Sequence, residues 1–578
     1  MLGCRAFSPT GGPPIPSTTA AKRKAKPATA RAARKVQPEP VKRGRDRRSA
    51  ETKLAELERR LLEIGDLSSA GAVLGWDQAT YMPKGGAPAR SRQGATLSRL
   101  AHEKLTDPAL GKLLDDLAPH AERLPHDSAA ASLVRIVRRD FDKATRVPAE
   151  FVARWSAFSS ASYDAWTRAR PANDFATMRP LLEKALDFSR QYADFFAPYA
   201  HMADPLIDGP DEGMTTASVL ALFKELRAGL VPIVRAIGEQ EPADDSCLRG
   251  SFPEAAQMEF GLDVIKRFGY DLDRGRLDKT HHPFCTKFSA GDVRITTRVR
   301  PDNIGEALFS TLHEAGHALY EQGVGTELDG TPLGSGASAG VHESQSRLWE
   351  NVIGRSRAFW AHFYPRLREA FPGAFERVPL EAFYRAINKV ERSLIRTDAD
   401  EVTYNLHIMM RFDLELAMLE GRLAVKDLPA AWRERFEEDF GLSPPDDRDG
   451  CLQDVHWYAG AVGGGFQGYA IGNILCAQFY AAALAAHPEI PREMARGEFA
   501  ALHGWLRDNL YHHGRKFKPV ELVARATGGP MRINPYIAYL RQKYGELYRL
   551  PPAPKRGGGS RERSAGAAPA ISPSRRGR

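Results

Sequence analysis

From Thr52 onward, apolar residues recur every three or four positions: Leu54, Leu57, Leu61 and Ile64 share one face, and Gly65 reads as the stop of that helix. The same period returns through residues 110–117, 130–142, 178–196 and 218–237, so the chain predicts an all-α body of successive helices. One stretch breaks the pattern. Residues 284–299 carry a turn signal, Ser289-Ala290-Gly291, followed by alternating Val293, Ile295, Thr297 and Val299, which predicts a small β-hairpin. No fixed-period repeat and no Ser/Gly-rich linker divides residues 52–550, so they predict a single domain.

Immediately after the hairpin comes a helix with unusual contents. Asn303 with Glu306 three positions on resembles a capping box, Leu308, Phe309, Leu312, Ala315 and Leu319 form the apolar stripe, and Gly323 reads as the C-terminal stop. Inside it lies His313-Glu314-Ala315-Gly316-His317. Positions i and i+4 stack on one helix face, so both imidazoles can reach one Zn²⁺, with Glu314 beside them as a general base. Two imidazoles and a carboxylate also accept Co²⁺ or Mn²⁺.

Charge changes the picture less than the total suggests. The chain of 578 residues has a formal charge of +9, but residues 1–50 carry +11 and residues 551–578 carry +6, leaving −8 for the body. Both ends, 1–51 and 551–578, are rich in Ala, Pro, Gly, Ser and basic residues and predict disordered tails. Nucleic acid could be met only through those tails. Cys4, Cys247, Cys285, Cys451 and Cys476 are odd in number and lack CxxC spacing, which fits a reducing, cytoplasmic setting. The apolar run 469–486 is interrupted by Asn473 and Gln478 and reads as a core helix, with no membrane expected.

A catalytic zinc needs a third protein ligand. Downstream candidates are Glu321, Glu327, Glu343 and Glu350, and spacing alone leaves them open: Glu321 lies along the helix axis beyond His317, Glu327 in a Gly-rich loop, and Glu343 and Glu350 on one face of a second helix.

Residues 308–351, with HEAGHALYEQG, GTPLGSGAS and HESQSRLWEN, resemble the carboxypeptidase Taq family of metallocarboxypeptidases. The likeness continues in Trp76-Asp77-Gln78, His282-Pro283-Phe284, Asp292-Val293-Arg294-Ile295-Thr296, Ile395-Arg396-Thr397-Asp398-Ala399-Asp400, and Gly450-Cys451-Leu452-Gln453-Asp454-Val455-His456-Trp457, covering roughly residues 52–550. The resemblance implies Glu343 as the third ligand, a helical fold with a deep central groove, a homodimer, and removal of C-terminal residues from peptides with a free C-terminus, with broad specificity and poor action on proline. Arg396 matches the family's arginine motif and is expected to bind the terminal carboxylate, with Arg294 as the alternative and Asp292 as a support for a ligand histidine. By analogy with more distant HExxH peptidases, His456 and Tyr469 are expected to stabilise the oxyanion. An oligopeptidase or endopeptidase using the same centre, and a nucleic-acid-associated protein acting through its tails, are the other readings. Where the family shows an aromatic, proline-containing stretch, this chain has Gly464-Gly465-Phe466-Gln467-Gly468-Tyr469, which predicts a looser loop.

Overall fold

The computed structural model describes residues 40–551, with side chains from Ser49 onward. The expected tails fall outside that range except for residues 40–51, which are helical: the first helix runs from Pro40 to Thr80. It also passes straight through Gly65. A β-carbon there would lie 2.7 Å from the Gly330 carbonyl oxygen, so this glycine admits a neighbouring loop and does not end the helix.

The predicted helices are present as Pro108–Ala121, Ala129–Arg146, Phe175–Asp194 and Thr216–Gly238. Their stripes feed two apolar cores. A small one joins Leu57 and Leu61 of the first helix to Leu110, Leu114, Leu117, Leu133 and Val137, and closes on Val324, Leu328 and Leu333. The larger one takes in most buried apolar residues from Phe151 to Tyr548. Loop residues just after the HEAGH helix (Ile304–Gly323) therefore belong to the small core, while the helix itself is built into the large one.

The hairpin exists and has a third strand that the alternation did not signal. Strands β1 (Leu277–Lys279), β2 (Cys285–Ser289) and β3 (Asp292–Thr297) form a sheet in the order β1-β3-β2, with β1 parallel and β2 antiparallel to β3. At three residues β1 is too short for a period to show. The Thr297 hydroxyl donates to the Ala307 carbonyl at 3.0 Å, fixing the end of β3 to the first turn of the HEAGH helix. That helix starts with Asn303 accepting from the Gly305 amide at 2.8 Å. The reciprocal half of a capping box is missing, because Glu306 turns to Arg298 instead.

Two further helices complete the setting. The Glu343 helix (Ala339–Arg347) runs directly into a π-helical turn, Leu348–Ile353. The Tyr469 helix (Gln467–Ala486) is, among the described residues, the one long and apolar enough to cross a membrane, yet 61% of its apolar window is buried as part of the core. Gln467 and Gly468, expected in a loosened loop, are buried as the first residues of this helix.

Candidate metal centre

Three helices pack unusually close at the centre of the large core. A β-carbon on Gly316 would lie 2.4 Å from the Gln345 carbonyl oxygen, and one on Gly472 would lie 2.5 Å from Cγ of Glu343. Glycine at these two places lets the HEAGH helix and the Tyr469 helix each come close against the Glu343 helix.

The result is a convergence of donor atoms. Nε2 of His313 and Nε2 of His317 lie 3.8 and 3.5 Å from the same Oε2 of Glu343, and the ligand atoms of the three residues all lie within 4.8 Å of one another. Among the candidate third ligands, Glu343 is the one that enters. The other ring nitrogen of each histidine is already engaged: Nδ1 of His313 meets Glu350 at 2.9 Å, and Nδ1 of His317 meets Nδ1 of His342 at 2.6 Å. His342 in turn reaches Glu321 at 2.8 Å, and Glu321 is paired with Lys287 of β2 at 3.2 Å. Asp292, expected to support a ligand histidine, is bound instead to Arg294.

The residues fit a divalent cation. Nε2 of His317 is buried and has no hydrogen-bond partner, as a nitrogen awaiting a metal would be. Burial holds the His317 imidazole well below its usual range, hence neutral. Burial alone would raise the Glu343 carboxyl, but the Arg347 guanidinium and His313 hold it well below the usual range, hence ionised. The same logic leaves Glu350 at about 2, where the His313 hydrogen bond overcomes burial. Neutral imidazole and carboxylate are the protonation states that bind metal; burial lowers the His313 imidazole, but Glu343 and Glu350 outweigh it and raise it, so a cation there displaces a proton. Burial raises the Glu314 carboxyl, giving it the proton affinity of a working base.

A second cluster adjoins the first. Arg347 donates to Glu343 at 2.7 Å while its guanidinium covers the Tyr404 ring, 4.5 Å from the centroid. The Tyr404 hydroxyl accepts from Arg396 at 2.9 Å. Arg396 also makes a two-pronged pair with Asp454, at 2.6 and 3.3 Å, leaving one N–H on each terminal nitrogen. Asp454 holds Nδ1 of His456 as well, and the Tyr469 hydroxyl lies 3.3 Å from Nε2 of that ring. Burial raises the Tyr469 phenol, and the charge of Glu343 adds to the effect, so the hydroxyl keeps its proton.

Arg396, His456 and Tyr469 are thus brought together, and Arg294 is not with them. Its guanidinium is enclosed by Asp292 and the rings of Trp76 and Phe288, at 4.4 and 4.9 Å. Sequence reasoning weighed Glu321 only as a metal ligand and missed His342, Arg347, Tyr404 and Asp454 as parts of the centre, although His342, Arg347 and Asp454 lay inside recognised motifs.

Residues 56–544 match the family described as "Carboxypeptidase Taq (M32) metallopeptidase". The chain is 43% identical over 498 residues to "Thermostable carboxypeptidase 1" of Thermus thermophilus, which covers 84% of this chain and 97% of that protein. The crystal structure of an M32 carboxypeptidase from Deinococcus radiodurans superposes with a TM-score of 0.84 at 52% identity, covering 86% of this chain and all of the other. Trypanosoma cruzi metallocarboxypeptidase 1 does so with a TM-score of 0.81 at 29% identity, covering 85% of this chain and 99% of its own. With its His313, His317 and Glu343 centre in place, this chain belongs to the carboxypeptidase Taq (M32) family and is a metallocarboxypeptidase.

Proposed function

We propose that the chain is a zinc carboxypeptidase that removes residues successively from peptides with a free C-terminus, with broad side-chain tolerance and poor action on proline. The observation that carries this reading is the unbroken path from Glu343 through Arg347 and Tyr404 to Arg396, Asp454, His456 and Tyr469. When bound by His313, His317 and Glu343, zinc supplies a Lewis acid that polarises a peptide carbonyl and acidifies water. Glu314 removes a proton from the attacking water and delivers it to the leaving amine. The Tyr469 hydroxyl and the His456 ring donate to the carbonyl oxygen as negative charge grows there. Arg396 offers its remaining N–H groups to the terminal carboxylate.

Metal analysis together with residue-by-residue release from a peptide ladder tests this. Glu314→Gln should keep its metal and lose activity by about 10²–10⁴-fold; retained activity would remove Glu314 from its role. Arg396→Ala should raise KM for free-acid peptides and spare C-terminally amidated ones.

The prior engagement of Arg396 with Asp454 favours one alternative, an oligopeptidase that needs no carboxylate anchor. Equal turnover of paired free-acid and amidated peptides by the wild type would select it. A homodimer is part of the main proposal, and a monomer mass by light scattering would strike it out.

A further inference from the structure

Asp211 lies in a loop that none of the sequence motifs touches, and it is 2% exposed. One of its carboxylate oxygens accepts from the Gly340 amide at 2.8 Å, in the first turn of the Glu343 helix. The Ala339 amide donates to the neighbouring Pro210 carbonyl at 2.9 Å. The other oxygen accepts from the side-chain amide of Gln467 at 3.3 Å, the first residue of the Tyr469 helix. Gln467 is fully buried, and its amide also donates to the Gly464 carbonyl at 2.9 Å. One carboxylate therefore joins the starts of two helices, three residues before Glu343 on one and two before Tyr469 on the other.

We propose that Asp211 is a positioning residue that sets the Glu343 carboxylate against Tyr469, so that the metal ligand and the hydrogen-bond donor to the oxyanion keep one spacing. This rests on the proposed roles of Glu343 and Tyr469. It also gives Gln467 and Gly468 a purpose: a side-chain amide at 467 completes a brace, and a β-carbon at 468 would lie 3.2 Å from Oδ2 of Asp211.

The test uses the full chain and measures zinc affinity by chelator competition, kcat and KM on a free-acid peptide, and the melting temperature. Asp211→Ala should weaken zinc binding about 10–100-fold, as for other partners of ligand residues. Its kcat should fall at least about 10-fold with KM within about twofold. Asp211→Asn keeps an acceptor for the Gly340 amide and should recover zinc affinity. Gln467→Met cuts only the second helix loose and should lower kcat about threefold or more while zinc affinity holds. Wild-type zinc affinity and kcat in Asp211→Ala, or no recovery in Asp211→Asn, overturns the proposal. If Asp211→Ala fails to fold, wild-type kcat in Gln467→Met does so. Glu314→Gln in parallel separates the cases: activity there defeats the catalytic reading, whereas an inactive Glu314→Gln beside a wild-type-like Asp211→Ala defeats only this inference.

Discussion

His313 and His317 have the same task and unlike supports. One leans on the carboxylate of Glu350, the other on an imidazole that passes the bond to Glu321. A carboxylate acceptor makes a ligand imidazole more basic and fixes which nitrogen faces the metal. Glu350→Gln should therefore weaken zinc binding about 10–100-fold, read by chelator competition, with the fold intact. Glu415 makes a different prediction. It is buried, accepts from the Trp457 indole at 2.8 Å, and burial pushes its carboxyl up to about 8 from an ordinary 4.5. Below the ordinary value both folded and unfolded chains hold the proton, and the stability this secures is lost as pH rises through about 8. Glu415→Gln, neutral throughout, should gain stability over the parent as pH rises from 4.5 to about 8, by a few kcal/mol at most, read as a growing difference in melting temperature. A pH-independent difference would refute it. His313, Glu314 and His317 were legible because five contiguous residues carry them. Glu343 needed the resemblance, and the supports were hidden: Glu321 and His342 stand 21 residues apart, and Arg396 and Asp454 stand 58 apart. Spacing says nothing of pairs that only tertiary packing creates.

Helices were legible wherever an apolar stripe ran for several turns, and the hairpin was announced by its turn. Punctuation was read less well. Gly65 reads in sequence as a stop, but like Gly316 it sits inside a helix because another backbone comes close. Gly472→Ala is the sharpest test at this scale, since the added methyl would press on Glu343 itself. Overpacking of this kind costs about 1–3 kcal/mol, and here it should lower zinc affinity together with melting temperature. A variant that loses stability but binds zinc as before would show that the contact is mere filling.

At the scale of the molecule, the unbroken helical pattern predicts one domain, and the described residues carry two apolar cores. The HEAGH helix is built into the larger core, so metal should brace the whole body. Removing the metal with a chelator should lower the melting temperature reversibly, the stability lost being about 1.4 kcal/mol for each tenfold excess of free metal over the dissociation constant. An unchanged transition would mean that the centre is held rigid without its metal.

The π-helical turn at Leu348–Ile353 has a consequence of another kind. A π turn accommodates one more residue than the α-helical course around it, and this one lies between Glu343, which faces the ligands, and Arg355, which bonds to Asn351 at 3.1 Å. The chain's count of residues is thus a functional quantity at this point. Deleting Leu348, with every other side chain kept, should rewind the turn to α with the chain on either side still in phase, and turn Glu350, which lies inside it, off Nδ1 of His313. An alignment that tracked only residue identities would score that variant as harmless, and its zinc affinity would say otherwise.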